Sequence, residues 1–199
     1  MNLNTIRQIG IKNIKYLGKG KRSVVFMGVM SGYKGKKIAI KIEKEGISAK
    51  DRIRNEARFL KVLNKYKIGP KLILNKKKFI VYELVRGKPI SEFLKNNNKN
   101  RCRQILKQVL KQCYILDKLK INKKELHNPI KHIIIDKKPV MIDFERCYYT
   151  KNPKNVTQFC QFLISRKLIR DGELRSIIRN YKKSYNKKDF NQICSLISV

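Results

Sequence analysis

The segment Leu17-Gly18-Lys19-Gly20-Lys21-Arg22-Ser23-Val24-Val25 sets two glycines and a serine among residues of strand type. Glycines in such a turn let backbone N–H groups approach phosphate oxygens with no Cβ in the way. Ala39-Ile40-Lys41 closes the next apolar strand pattern, and an ammonium there can hold phosphates. The chain carries 14 Asp+Glu against 49 Lys+Arg, so an acid in the helical stretch that follows stands out. That acid is Glu56, in Arg54-Asn55-Glu56-Ala57. A Lys41–Glu56 pair would aim the ammonium at a phosphate; the alternative is a solvated lysine and a surface glutamate. Ile142-Asp143-Phe144-Glu145 puts an Asp after an apolar strand. There a hard carboxylate oxygen can ligate Mg²⁺ or simply close a turn. The chemistry these residues share is holding a phosphate chain and its counter-ion.

Several elements must position them. Residues 14–17 lead into the glycine turn, and residues 24–27 are β-branched and aromatic, hence a strand. Residues 31–35 read as a turn. Residues 37–42 alternate, with Ile38, Ile40 and Ile42 on one face. Residues 48–66 read as a helix through Ile53, Ala57, Leu60 and Leu63, with Ser48 as its cap. Residues 72–74 and 79–84 form a hairpin. The expectation is a five-stranded antiparallel sheet with one helix. Beyond Gly87 the pattern changes. Residues 96–100 read as a polar linker or loop. Ile105, Leu106, Val109, Leu110, Cys113, Leu116 and Leu119 then make one apolar stripe along a helix of about five turns. Residues 133–135 and 140–142 are short strands, and the remainder is helical, with Asn155 and Thr157 as caps. The fold class is α+β and two-lobed, residues 1–86 and 87–199, the second lobe reduced and mainly helical, with a cleft between the lobes.

The chain of 199 residues has a formal charge of +35 and 42% hydrophobic residues. That is enough apolar content for a core. The charge would attract polyanions, among them RNA, ribosomes and nucleotides. A codon bias toward Lys, Ile and Asn is the other source of such a composition. The five cysteines (Cys102, Cys113, Cys147, Cys160 and Cys194) include no CxxC pair and are odd in number. They read as reduced thiols in a cytoplasmic protein, which argues against a secreted disulfide scaffold. His127 and His132 show no zinc spacing with them. The first ten residues lack an apolar signal core, and no apolar run is long enough to span a bilayer.

In combination and order, the motifs resemble those of the eukaryotic-like protein kinase superfamily, above all its small archaeal members. These are the Rio family and the kinase of the KEOPS tRNA-modification complex. Gly18 to Phe26 is similar to the Rio phosphate loop, with Ser23 where a third glycine is usual. Phe79 to Gly87 resembles the hinge of such kinases, and Ile68 to Leu72 the stretch before their fourth strand. The resemblance implies ATP and Mg²⁺ as cofactors. Leu17, Gly18, Gly20, Ser23 and Val25 would then cover the nucleotide, and Lys41 would hold its α- and β-phosphates while pairing with Glu56. Tyr82 would be the gatekeeper, the backbone of Glu83 and Val85 would bond adenine, and Asp143 would hold Mg²⁺.

The catalytic loop departs from the pattern. The family has His-Arg-Asp or His-Gly-Asp, with Asn five residues after the Asp; here the segment is Lys123 to Ile133. Two registers are open. One makes His127 the base. The other, preferred because a carboxylate can accept a hydroxyl proton, makes Glu125 the base. His132 then replaces the Asn beside metal or phosphate, although imidazole suits Mg²⁺ poorly. Lys131 would neutralise the γ-phosphate. Asp143-Phe144-Glu145 stands for Asp-Phe-Gly, so Glu145 is either a further metal ligand or a partner of Arg146. No Ala-Pro-Glu motif follows, and the peptide-docking part of large kinases is missing.

The function these residues imply is ATP-dependent phosphoryl transfer to a Ser/Thr hydroxyl of a protein, or to the chain itself, by a minimal kinase with Mg·ATP in the interlobe cleft. The alternatives are an ATP-binding switch in ribosome or tRNA-modification assembly, a basic RNA-binding module without catalysis, and a small-molecule kinase.

Overall fold

The computed structural model describes residues 3–33, 35–44, 51–169 and 172–197, with residues 3–5 described by backbone alone. The expected cap Ser48 lies outside the described residues. The chain divides into two compact units. The first is Met1–Val85 together with Ile142–Arg146; the second is Arg86–Met141 with Cys147–Val199.

The first unit begins with a short helix, α1 (Leu3–Gln8), that periodicity over six residues could not announce. Strands β1 (Ile11–Lys19), β2 (Ser23–Met30), β3 (Lys37–Glu43), β4 (Leu72–Asn75) and β5 (Phe79–Glu83) form one antiparallel sheet in the order β1-β2-β3-β5-β4. This is the expected five-stranded sheet. Its centre differs from simple alternation, because Ile38 to Ile42 are all buried. One face carries Ile38, Ile40 and Ile42, packed with Phe79, Val81, Ile11 and the α1 residue Ile6. The other face, with Ala39 and Lys41, is also shielded from water. A β-strand points successive side chains to opposite faces, so covering both faces buries a charged residue along with the apolar ones.

Helix α2 (Arg52–Leu63) buries Ile53, Glu56, Ala57, Phe59, Leu60 and Leu63. The spacing Ile53, Ala57, Leu60 places an apolar stripe on one side. The helix starts after Asp51, whose backbone is left-handed, and runs into a 3₁₀ turn, Asn64–Tyr66. The Asn64 side chain donates to the carbonyls of Ile68 (3.1 Å) and Pro70 (3.0 Å) and accepts from Leu72 N–H (2.7 Å), which fixes the approach to β4. Gly69 adopts φ +79°, and a Cβ there would lie 2.7 Å from Leu60 and 2.9 Å from Phe144. A glycine is thus required where the chain passes the buried Phe144 ring.

The second unit holds the other five helices among the described residues: α3 (Ile90–Lys95), α4 (Lys99–Lys118), α5 (Asn155–Ser165), α6 (Leu174–Ser184) and α7 (Lys187–Ser195). Strands β6 (Lys88–Pro89), β8 (Ile133–Ile135) and β9 (Pro139–Met141) form a small sheet, and β7 (Ile121–Asn122) pairs with β10 (Tyr148–Tyr149). The apolar stripe of α4 is buried from Cys102 to Leu116. The polar stretch is a short loop of residues 96–98, ended where the Asn98 side chain accepts from Arg101 N–H and α4 starts at Lys99. Gly87, at φ +121°, leaves no room for a side chain, since a Cβ would lie 2.2 Å from the Ile135 carbonyl oxygen.

The expected caps of α5 are corrected. The helix begins after Lys154 with no side-chain cap. Asn155 lies inside it, fully buried, because its carboxamide is needed elsewhere. It donates to Asp117 (2.7 Å) and to the Ile121 carbonyl (2.7 Å), and accepts from Lys123 N–H (2.8 Å). Thr157 lies within the helix, beyond the cap position. None of the five cysteines is in a disulfide, and four of them are buried with Cys194 half-buried; burial pushes the Cys113 and Cys160 thiols well up. No described helix is long and apolar enough to cross a membrane.

Candidate functional site

Lys41 lies on β3 directly opposite Val25 of β2 and Ile80 of β5. It is 6% exposed. Its Nζ donates to Glu56 Oε2 of α2 at 2.6 Å and to Asp143 Oδ1 at 3.0 Å, and Glu145 Oε2 lies 3.5 Å away. Three carboxylates therefore surround one buried ammonium. Burial disfavours the charged lysine, but Glu56 and Asp143 outweigh it and hold the group protonated far above its ordinary range. Burial pushes the Glu56 carboxyl up, against the pull of Lys41 and with a further push from Asp143. Tyr82, on the same face of the sheet, is also pushed up, first by burial and then by Glu56.

The segment 143–145 is fastened to α2. Phe144 N–H donates to Glu56 Oε1 (3.4 Å), and the Glu145 carbonyl accepts from Asn55 Nδ2 (3.0 Å) and Arg52 Nη1 (3.3 Å). Asp143 has φ +63°, a left-handed conformation that Asp tolerates better than most residues. The Glu145 carboxylate pairs with Lys41 through Oε2 and with Arg22 Nη1 through Oε1 at 3.6 Å. Arg22 was not foreseen as its partner. The pair joins residues 123 apart in sequence, and nothing in the local pattern marks Arg22 among so many cations.

The glycine turn is the β1–β2 hairpin. Gly18 lies opposite Val25 and Lys19 opposite Val24, and Leu17 is the extra residue of a bulge, 46% exposed. Gly20 N–H donates to the Ser23 carbonyl (2.8 Å), closing the turn, and its own carbonyl accepts from Lys44 Nζ (2.6 Å). Ser23 is buried. The space that a Cβ would enter at Gly18 is open, with nothing within 4 Å. Ser23, Val25 and Lys41 share one face of the sheet, as residues two apart and residues directly opposite do.

At the end of β5, Glu83 N–H is committed to the Lys71 carbonyl (2.9 Å) and Leu84 N–H to that of Lys37 (3.1 Å). The Glu83 carboxylate accepts from the Tyr33 hydroxyl (2.6 Å) and Lys36 Nζ (3.4 Å). The Tyr33 bond draws the Glu83 carboxyl down and pushes the phenol up to about 12. Val85 is half-buried at the end of this unit.

The remaining candidates belong to the second unit. Glu125 is buried in a 3₁₀ turn, Lys124–His127. Its Oε2 accepts from Nζ of the fully buried Lys123 at 3.3 Å. His127 is exposed, with Nδ1 3.0 Å from the Lys124 carbonyl oxygen. Lys131 is exposed at the end of a second 3₁₀ turn, Pro129–Lys131, and the half-buried His132 follows it, its N–H on the Pro129 carbonyl (2.8 Å). Sequence reasoning missed the group beneath this loop. Asp117 accepts from Asn155 N–H (2.9 Å) and Nδ2 (2.7 Å), Val156 N–H (3.2 Å) and the Tyr181 hydroxyl (2.9 Å). Burial pushes the Asp117 carboxyl up in spite of these donors.

Among the described residues, one group of carboxylates is close enough to hold a metal ion: Glu56, Asp143 and Glu145, with ligand atoms within 4.8 Å of one another. His132 is not in it. Carboxylate oxygens are the donors Mg²⁺ prefers, and the open space at Gly18 and the ammonium of Lys41 suit a phosphate chain, so these residues fit the expected cofactors.

Residues 11–130, more than half of the chain, match the family model for protein tyrosine and serine/threonine kinases. No curated protein matches the chain at a significant level.

Proposed function

The chain belongs to the protein kinase family, and on that premise we propose that it binds Mg·ATP and transfers the γ-phosphoryl group to a Ser/Thr hydroxyl of a protein, or to itself. The observation that carries this reading is the Lys41 ammonium held by Glu56 at 2.6 Å and Asp143 at 3.0 Å. A buried lysine with a carboxylate fixing its direction is a rigid phosphate ligand.

In this reading Glu56 orients Lys41 toward the α- and β-phosphates, and the turn at Gly18, Gly20 and Ser23 lies over them. Leu17 and Val25 flank the nucleotide, and backbone groups of Glu83 and Val85 receive adenine beside Tyr82. Asp143 is the principal holder of Mg²⁺. The metal, when bound, neutralises charge on the phosphoryl oxygens. Glu125 orients the acceptor hydroxyl and takes its proton. Lys131 offsets γ-phosphate charge, with His132 beside phosphate or metal. The unusual catalytic loop and the absence of an Ala-Pro-Glu motif support reading the enzyme as an atypical kinase. Cysteines that form no disulfide support a cytoplasmic location.

The test uses the intact protein with γ-labelled ATP and Mg²⁺, beside Asp143→Asn and Glu125→Gln. The expected result is label on protein or a peptide hydroxyl that disappears in both variants. Transfer that survives Asp143→Asn at full rate would contradict the assignment.

A second reading is an ATP-binding switch that does not transfer phosphate. It is favoured by Glu125, whose carboxylate is buried and paired with Lys123. Under it, nucleotide binds but no acceptor is labelled. A partner contact with RNA or a ribosome is compatible with either reading. The charge of +35 supports it, as do the exposed Tyr148 and Tyr149, with Lys124 Nζ 5.5 Å from the Tyr148 ring centre. It predicts salt-sensitive RNA binding.

A further inference from the structure

We propose that Glu145 is an internal stand-in for nucleotide phosphate, and that Arg22, which it caps, is a second phosphate-binding cation beside Lys41. This rests on the nucleotide reading above and extends it to a residue with no counterpart in the glycine-turn pattern.

One Glu145 carboxylate oxygen faces Lys41 Nζ at 3.5 Å; the other faces Arg22 Nη1 at 3.6 Å. Two cations that share one bridging anion form an anion site, here filled by the protein's own side chain. Arg22 comes from the turn between Gly20 and Ser23, the segment whose glycines leave room for phosphate. A guanidinium on that turn can bond phosphate oxygens in bidentate fashion, which the backbone alone cannot do.

The geometry also identifies Glu145 as the exchangeable member of the cluster. Glu56 and Asp143 meet Lys41 at 2.6 and 3.0 Å, hydrogen-bonding distances. Glu145 makes only looser ion pairs, at 3.5 and 3.6 Å. Its backbone, by contrast, is fixed to α2 through Asn55 and Arg52. The side chain can leave its two cations while the segment stays in place. Its side chain is 12% exposed and that of Arg22 31%, so the Arg22 end of the bridge is open to solvent. When nucleotide phosphates take Lys41 and Arg22, the released carboxylate is a hard donor next to Asp143, suited to the accompanying Mg²⁺. Nucleotide binding without metal then works against Glu145, and binding with metal recruits it.

The test measures affinities of ATP, ADP and adenosine for the intact chain, with and without Mg²⁺, by calorimetry. The proteins are the unaltered chain, Glu145→Gln, Arg22→Gln, Arg22→Lys and the double variant Arg22→Gln/Glu145→Gln, each checked for cooperative thermal unfolding. Glu145→Gln is expected to tighten metal-free ATP about tenfold and to shrink the gain that Mg²⁺ brings; Arg22→Gln weakens ATP and ADP about tenfold, on the scale of one charge-assisted contact. Adenosine affinity stays unchanged in both. Arg22→Lys keeps most of the ATP affinity, and in the double variant the tightening from Glu145→Gln is reduced. The inference alone is overturned if the unaltered chain binds ATP but Glu145→Gln fails to tighten it without metal, or if Arg22→Gln weakens adenosine as much as ATP. Failure of every protein to bind ATP, with or without Mg²⁺, overturns the nucleotide reading along with it.

Discussion

Each compact unit buries a helix-borne carboxylate, and the two are neutralised in opposite ways. In the first unit Glu56 meets an ammonium, Lys41, which also contacts Asp143 and Glu145. In the second unit Asp117 meets neutral donors: two backbone N–H groups, a carboxamide and a phenol. The Asp117 arrangement is closed. Its donors converge on one carboxylate and tie α4, α5 and α6 together. The Glu56 arrangement holds Lys41 among three acids, the outermost of which, Glu145, is loosely held between Lys41 and Arg22, so its partners can be exchanged for others of like charge. A buried charge satisfied by fixed dipoles serves the fold, whereas one satisfied by a charged side chain that faces further charged groups can serve a ligand.

The largest effect is expected at Lys41. Lys41→Met is expected to lower phosphoryl transfer by roughly 10²–10³-fold, measured with γ-labelled ATP under saturating peptide. It should also destabilise the protein, because Glu56 is left as an uncompensated buried charge. At Asp117 the large effect is on stability. Asp117→Ala strands the N–H groups of Asn155 and Val156 and the Tyr181 hydroxyl, and the expected loss is about 3 kcal/mol in urea unfolding. Tyr181→Phe removes one donor and should cost about 1 kcal/mol in the same assay.

The pH dependence sets Asp117 against Glu83, whose donors are the Tyr33 hydroxyl and the Lys36 ammonium. Asp117 has its folded-state value raised above the ordinary 3.8, so the folded chain holds that proton more tightly than the unfolded one. Its contribution is fully present below the ordinary value and is lost as pH rises through the raised one. Asp117→Asn should flatten that part of the urea midpoint against pH. Glu83 has the opposite sign. Its value is lowered, chiefly by the Tyr33 hydroxyl, so its contribution is present above the ordinary 4.5 and lost as pH falls through the lowered value. The smallest effect expected is a rise of the Glu83 titration midpoint in Tyr33→Phe, read by NMR.

Much of the first unit was legible in the sequence because its signals are short-range. Alternation over Lys37 to Ile42, the two glycines and the hairpin at residues 72–84 each specify a strand or turn locally. Glu56 stood out through the scarcity of acids, and its spacing from Lys41 is that of strand to following helix. What escaped notice depends on long-range packing. Asp117 reads as a polar residue at a helix end, and Asn155 as a cap, until the fold buries both against Tyr181. Lys123 looks like one more surface lysine, yet it is fully buried beside Glu125. The bridge from Arg22 to Glu145 likewise exists only after the 142–146 segment joins the first unit.

In the proposed function, Lys41, Glu56 and Asp143 form the phosphate and metal site. The most direct test is calorimetric titration of Mg·ATP into the unaltered chain, Lys41→Met and Asp143→Asn, each shown to be folded by cooperative thermal unfolding. The account predicts saturable binding by the unaltered chain and affinities at least about tenfold weaker in both variants. Equal affinity in a folded Lys41→Met protein would contradict it.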